Sequence, residues 1–325
     1  MARKASASAA GKARPMKKAG GKSPARKSRS GTSPARKSAT KKSRVATPAS
    51  LAPAPRDFLP MFQVDAFTTR VFKGNPAAVV PMPEWLSDET MQAIAAENNL
   101  AETAFFRPRV VKKGVPHVEL RWFTPEMEMD LCGHATLASA HVLWEELGVG
   151  GEEIVFHSRS GPLPVRREQN AAGTLIELDF PARPGRKVNV TNEMSEAIGR
   201  PVSEAYRARD LMLVLENRRD VYELRPDMEK LRALGGLGVI VTAPGSGHDF
   251  VSRFFAPGAG VPEDPVTGSA HCTLVPYWAA RLGKPGLSAH QVSKRGGELR
   301  CQFAGERVKI AGFCVTFFEG VIRVR

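Results

Sequence analysis

Residues Asp130–Gly148 read DLCGHATLASAHVLWEELG, and Glu263–Gly283 read EDPVTGSAHCTLVPYWAARLG. In both, an Asp precedes Gly-[His/Ser]-Ala, and an Ala-rich, largely apolar run closes on Leu-Gly. The spacing is the same, 15 positions from Gly133 to Gly148 and 15 from Gly268 to Gly283. RWFTP (Arg121–Pro125) leads into the first stretch and RFFAP (Arg253–Pro257) into the second. Matches recurring in one order argue for an internal duplication. A run that is apolar nearly all round is a buried helix, here predicted over Gly133–Leu147 and Gly268–Leu282.

Strand patterns flank each helix. MFQVDAF (Met61–Phe67) and NPAAVVP (Asn75–Pro81) bracket a turn at Lys73-Gly74. Ser87–Asn99 reads as a helix capped by Ser87, with Asp88 and Glu89 in its first turn and Met91, Ile94 and Ala95 on one face. TAFFRPRVV and HVELRWF follow, the second alternating Val118, Leu120 and Trp122 with polar residues; IVFHSR, LPVRRE and TLIELDF complete the half. FPARPGR (Phe180–Arg186) has the Pro and Gly of a linker. Beyond it DLMLVLE, DVYELRP, GVIVTAP and DFVSRFF read as strands and DMEKLRAL as a short helix. The class is α+β: two pseudo-symmetric domains, 58–182 and 187–325, each a curved, mostly antiparallel sheet around a central helix, with the last strands free to pack back on the first domain.

The formal charge of +14 suggests a nucleic-acid binder until it is mapped. Residues 1–50 hold 15 of the 47 Lys and Arg and no acid, which leaves 32 bases against 33 acids in the rest. That tail (1–57 as a segment) has no aromatic residue before Phe58 and repeats SPARKS at Ser23–Ser28 and Ser33–Ser38. Its composition cannot offset the entropy of ordering. Three readings stand: a solvated disordered extension, non-specific contact with nucleic-acid phosphates, or an organellar transit peptide. No apolar run approaches a membrane span, and no secretory core begins the chain. Four cysteines without a CxxC pair suggest reduced thiols in a cytoplasmic setting.

Asp130, Cys132 and His134 crowd the first helix start. Cys132 as a base would need a partner at the matching position, which is Thr267, and a hydroxyl is no base at neutral pH. A metal held by Cys132, His134, His271 and Cys272 has poor ligand spacing, because helix neighbours point about 100° apart; none is expected. Proton transfer remains. The helix N-terminus at His134 favours a neutral imidazole, Asp264 and Ser269 come from the second half, and Glu97 and Glu102 lie in AENNLAETAFF. Both helix starts, aimed into one cleft between domains, would attract an anion.

FQVDAFTTRVFKGNPAAVV, NNLAETAFF, LRWFTP, DLCGHAT and EDPVTGSAH together resemble the PhzF-like isomerases of phenazine biosynthesis, whose fold is that of diaminopimelate epimerase. The resemblance runs from about Met61 to the C-terminus. It implies Glu102 as general acid/base, His134 and Asp264 as positioning and protonating groups, and Ser269 as a ligand of the substrate carboxylate. Gly133 and Gly268 would offer backbone N–H groups, with Asn75 and Thr267 beside the substrate. It further implies a cofactor-free double-bond isomerisation, such as that of a dihydro-hydroxyanthranilate, in a homodimer. The absence of a phosphate-binding glycine loop agrees with that. An amino-acid racemase or epimerase is the alternative enzyme; a nucleic-acid-associated protein with a secondary body is the alternative of another class.

Overall fold

The duplication seen in the sequence reappears as duplicated topology. The structure is a computed structural model, which describes residues 57–324; the basic tail and its repeats lie outside the described residues. The first half runs β1 (Phe58–Ala66), β2 (Asn75–Pro81), α1 (Asp88–Asn98), β3 (Glu102–Lys112), β4 (Val115–Phe123), β5 (Glu128–Met129), α2 (Gly133–His141), β6 (Glu153–Ser158), β7 (Gly161–Asn170) and β8 (Gly173–Pro181). The second begins with β9 (Arg186–Val188), α3 (Asn192–Ile198), β10 (Glu204–Arg207), β11 (Leu211–Val214), α4 (Arg218–Tyr222), α5 (Met228–Ala233) and β12 (Val239–Pro244). It continues with β13 (Phe250–Ala256), β14 (Val261–Asp264), α6 (Gly268–Leu282), β15 (Gly286–Gln291), β16 (Gly297–Ala304), β17 (Arg307–Gly312) and β18 (Cys314–Arg323).

In the first half β1–β2 is antiparallel, β2–β3 parallel across α1, β3–β4 antiparallel and β4–β6 parallel across α2. The second half repeats this: β10–β11 antiparallel, β11–β12 parallel across α4 and α5, β12–β13 antiparallel, β13–β15 parallel across α6. The architecture is α+β. The halves exchange strands: β18, the last described strand, returns to β1, and β8 pairs with β17; β9 pairs with β10 inside the second half. The described residues belong to one compact unit. Among them no helix is long and apolar enough to cross a membrane.

Both central helices are buried as their composition demands, every residue of α2 and most of α6 being inaccessible. They touch each other and form, with the inner face of the sheet in both halves, one core that includes Trp122, Leu137, Trp278 and Phe250. Gly148 and Gly283 adopt the left-handed conformation that ends a helix. A smaller core lies under α1, another under α3, α4 and α5.

Two expectations need correction, and one helix was not foreseen. DVYELRP contains α4, not a strand: Val221 and Leu224 are its buried residues, three apart as on a helix face, and Tyr222 is exposed. The helix predicted over Gly133–Leu147 is α-helical only to His141 and then winds as a π-turn over Val142–Glu146, with Leu147 N–H donating to Val142 O at 2.9 Å. The strand reading also passed over α3, although Met194, Ala197 and Ile198 have helical spacing and Gly199 ends it in the left-handed region.

Candidate active site

Asn75 stands at the centre of the site because of the turn before it. Gly74 has φ +64°, and a Cβ there would lie 2.0 Å from Ala66 O, so only glycine fits. Arg295, paired with buried Asp65, braces this turn through Gly74 O at 2.8 Å. The parallel register of β2 on β3 places Ala77 opposite Glu102, which brings Asn75 and Glu102 to the same end of the sheet. The Asn75 amide donates to Asp264 Oδ1 at 2.7 Å and Val266 O at 2.9 Å, and it lies 3.1 Å from His134 Nδ1. Residues from β2, α2 and the loop before α6 are thereby tied together across the whole sequence.

His134 Nε2 lies 3.1 Å from Glu102 Oε2. Its Nδ1 faces the Asn75 amide and, at 3.5 Å, Cys132 Sγ. Burial alone would lower the pKa of His134, but Cys132 and the adjacent Glu102 carboxylate reverse this and hold it well above its ordinary 6.5. This direction runs against the one expected from the helix dipole alone. A terminal dipole contributes about 0.3–1 kcal/mol, less than a carboxylate in contact within a low-dielectric pocket. Burial pushes the Cys132 thiol up, and Glu102 adds to this while His134 opposes it.

Asp264 is positioned from both sides. Arg253 forks onto Glu263, Nε to Oε1 at 2.6 Å and Nη2 to Oε2 at 2.9 Å, locking β14 onto β13. In the first half Arg121 makes the same fork onto Glu128, with both distances 2.7 Å, so RWFTP and RFFAP encode one device twice. Buried Gln291, which the sequence reading missed, accepts from Thr267 N–H at 2.9 Å and donates to Asp264 O at 2.8 Å. Thr267 Oγ donates to Asp264 Oδ2 at 2.5 Å. Burial raises the Asp264 pKa to about 6 and Glu102 adds to it, while His134, Thr267 and Asn75 oppose.

The two helix N-termini meet: a methyl added at Gly133 would stand 3.5 Å from Gly268 Cα. Ser269 is the second residue of α6, and its Oγ accepts from Arg209 Nη2 at 2.8 Å, a contact absent from the sequence reading. Of the two candidate glutamates, Glu97 is exposed and Glu102 half-buried. Asp130 is exposed and lies outside the cluster. His271 and Cys272 also do not join it. His271 Nδ1 bonds to Thr267 O at 2.8 Å, and burial lowers its pKa to about 4. Glu102, Cys132 and His134 have donor atoms within 4.8 Å of one another, the one group among the described residues with the spacing for a metal. His134 Nδ1 also faces the Asn75 amide, which competes with a metal at that nitrogen.

This chain is similar to known proteins over nearly all of its described length. The profile of the phenazine biosynthesis-like protein family (PhzC-PhzF) matches residues 64–320. An uncharacterized isomerase of Pseudomonas aeruginosa is 52% identical over 267 residues, 82% of this chain and 99% of the relative. A PhzF-family crystal structure from Enterococcus faecalis superposes with TM-score 0.78 at 47% identity, covering 82% of this chain and 99% of the other. A predicted epimerase from Pseudomonas aeruginosa shares the fold, with TM-score 0.66 at 22% identity over 81% of this chain and 99% of the other.

Proposed function

The chain belongs to the phenazine biosynthesis-like protein family, and from that premise we propose that it is an isomerase moving a proton between carbons of a small unsaturated carboxylic or amino acid without a cofactor. The observation that carries this reading is the Glu102–His134–Asn75–Asp264 cluster, with its 3.1 Å contact between Glu102 and His134. The Glu102 carboxylate takes a proton from a carbon next to a conjugated system. The bonding pair left behind enters the conjugation, the double bond shifts, and the carboxylic acid of Glu102 returns the proton at the far carbon. Atoms balance and the base is regenerated. His134 and Asp264 hold the geometry and share in protonation. The backbone N–H groups at the starts of α2 and α6 stabilise the negative charge that develops. Asn75 Oδ1 is buried with no partner among the described residues, and a substrate amino or hydroxyl group would supply its donor.

The thiol route of an epimerase is less well supported. Cys132 has a raised pKa, and Thr267, at the matching position, is engaged by Asp264. Unpaired buried cysteines fit a cytoplasmic enzyme. The test uses solvent exchange. With a dihydro-hydroxyanthranilate and a panel of unsaturated amino acids, the wild-type chain should incorporate deuterium from heavy water, and Glu102→Gln should lower the rate by at least about 100-fold with an unchanged circular dichroism spectrum. Undiminished exchange in a folded Glu102→Gln chain would remove Glu102 from the mechanism.

A further inference from the structure

The mouths of the two central helices present different charged groups. At α2 the Glu102 carboxylate faces His134; at α6 the Arg209 guanidinium reaches Ser269. Arg209 lies just before β11, and two of its nitrogens are committed on one edge: Nε and Nη2 lie 3.2 and 3.0 Å from Asp210 Oδ2. Asp210 is almost completely buried, whereas a third of the Arg209 side chain is exposed. A buried carboxylate on one edge and an accessible cation on the other fix the guanidinium without consuming it. Nη1 takes part in none of these bonds.

A guanidinium has donors only. Ser269 Oγ must therefore accept from Arg209, which leaves the serine hydrogen to donate elsewhere. A second cation sits close by. Pro276, inside α6, has no N–H for Cys272 O, and the Arg183 backbone N–H takes that carbonyl at 2.9 Å. Arg183 is thereby pinned beside the helix start, where it lines a small cavity with Gly133, Phe180, Ser269 and Cys272. Its side chain has no ion pair among the described residues.

We propose that Arg209, locked by Asp210, is the specificity-determining residue of this enzyme: together with the Ser269 hydroxyl it holds the substrate's carboxylate, so the site selects acids over their neutral amides. This rests on the reading that substrate lies at the paired helix starts. Arg209 draws the carboxylate to the start of α6, so the acid enters in one orientation with its C–H toward Glu102. A charge-assisted pair of this kind is worth roughly tenfold to a hundredfold in affinity.

Calorimetric titration of the full chain with 3-hydroxyanthranilate, benzoate and their carboxamides tests this. Arg209→Gln alone strands a buried charge at Asp210, so the informative variants are the double change Arg209→Gln/Asp210→Asn and the charge-conserving Arg209→Lys. The wild-type chain should bind the acids at least about tenfold more tightly than the amides. The double variant should lose that preference, and Arg209→Lys should keep part of it. Glu102→Gln should keep it fully, so that failure of the proton-transfer reading leaves this result intact. Retention of the acid preference in the double variant overturns the proposal, as does a wild-type chain that binds none of the acids or shows no preference.

Discussion

Asp264 keeps its proton to about pH 6 because it is buried beside Glu102, and this has a cost in stability with a definite sign. Between about pH 4 and about pH 6 the native chain retains a proton that the unfolded chain, with an ordinary Asp, has lost. Stability contributed by this group therefore falls as pH rises through that window, by on the order of a few kcal/mol, and stays lower above it. Asp264→Asn cannot lose the proton. Its melting temperature should exceed the wild type's at about pH 8, and the gap should close near pH ~4, while activity is lost; a gap independent of pH would mean that Asp264 is ionised throughout. Glu102, His134, Asp264, Ser269 and Asn75 were legible as candidates because each sits in a motif. Arg209 and Gln291 were not: Asp210 and the Asp264–Thr267 turn select them only after folding, through contacts between segments distant in the chain.

At the scale of elements, the guanidinium fork repeated at Arg121–Glu128 and Arg253–Glu263 decides where the helix-leading segments lie. Arg253 also donates to Leu224 O at 2.9 Å, tying the end of α4 to β13. Arg253→Lys keeps the charge but not the fork. It should cost roughly 2 kcal/mol in urea unfolding and slow exchange by displacing Asp264, whereas a stability within about 0.5 kcal/mol of wild type would show the fork to be dispensable. The central helices and most strands could be read from period and caps, as with Val118, Leu120 and Trp122, all inward as their alternation required. The short strands β5, β9 and β14 are too brief to show a period. The π-turn after His141 has no local sequence signal; beside it His141 Nε2 meets Thr316 Oγ at 3.0 Å on a strand far away in the sequence.

For the whole molecule, the charge map separates two chemistries: a balanced body and a tail of residues 1–50 with 15 bases and no acid. Such a tail predicts retention on DNA that weakens steeply with salt. The full chain should elute from immobilised DNA at higher salt than a chain lacking residues 1–50, and both should exchange substrate hydrogen equally; retention unchanged by the deletion would assign the binding to the body. The duplication was visible as echoing motifs, and a return of the last strands to the first domain was allowed for; which strands pair was not, because pairing partners leave no local trace in sequence. That exchange bears on biosynthesis. The β1 edge that β18 will cover stays bare while nearly all the rest of the chain leaves the ribosome. The first lobe therefore cannot finish folding until β18 has been made, and an exposed sheet edge must be shielded from other nascent chains until then.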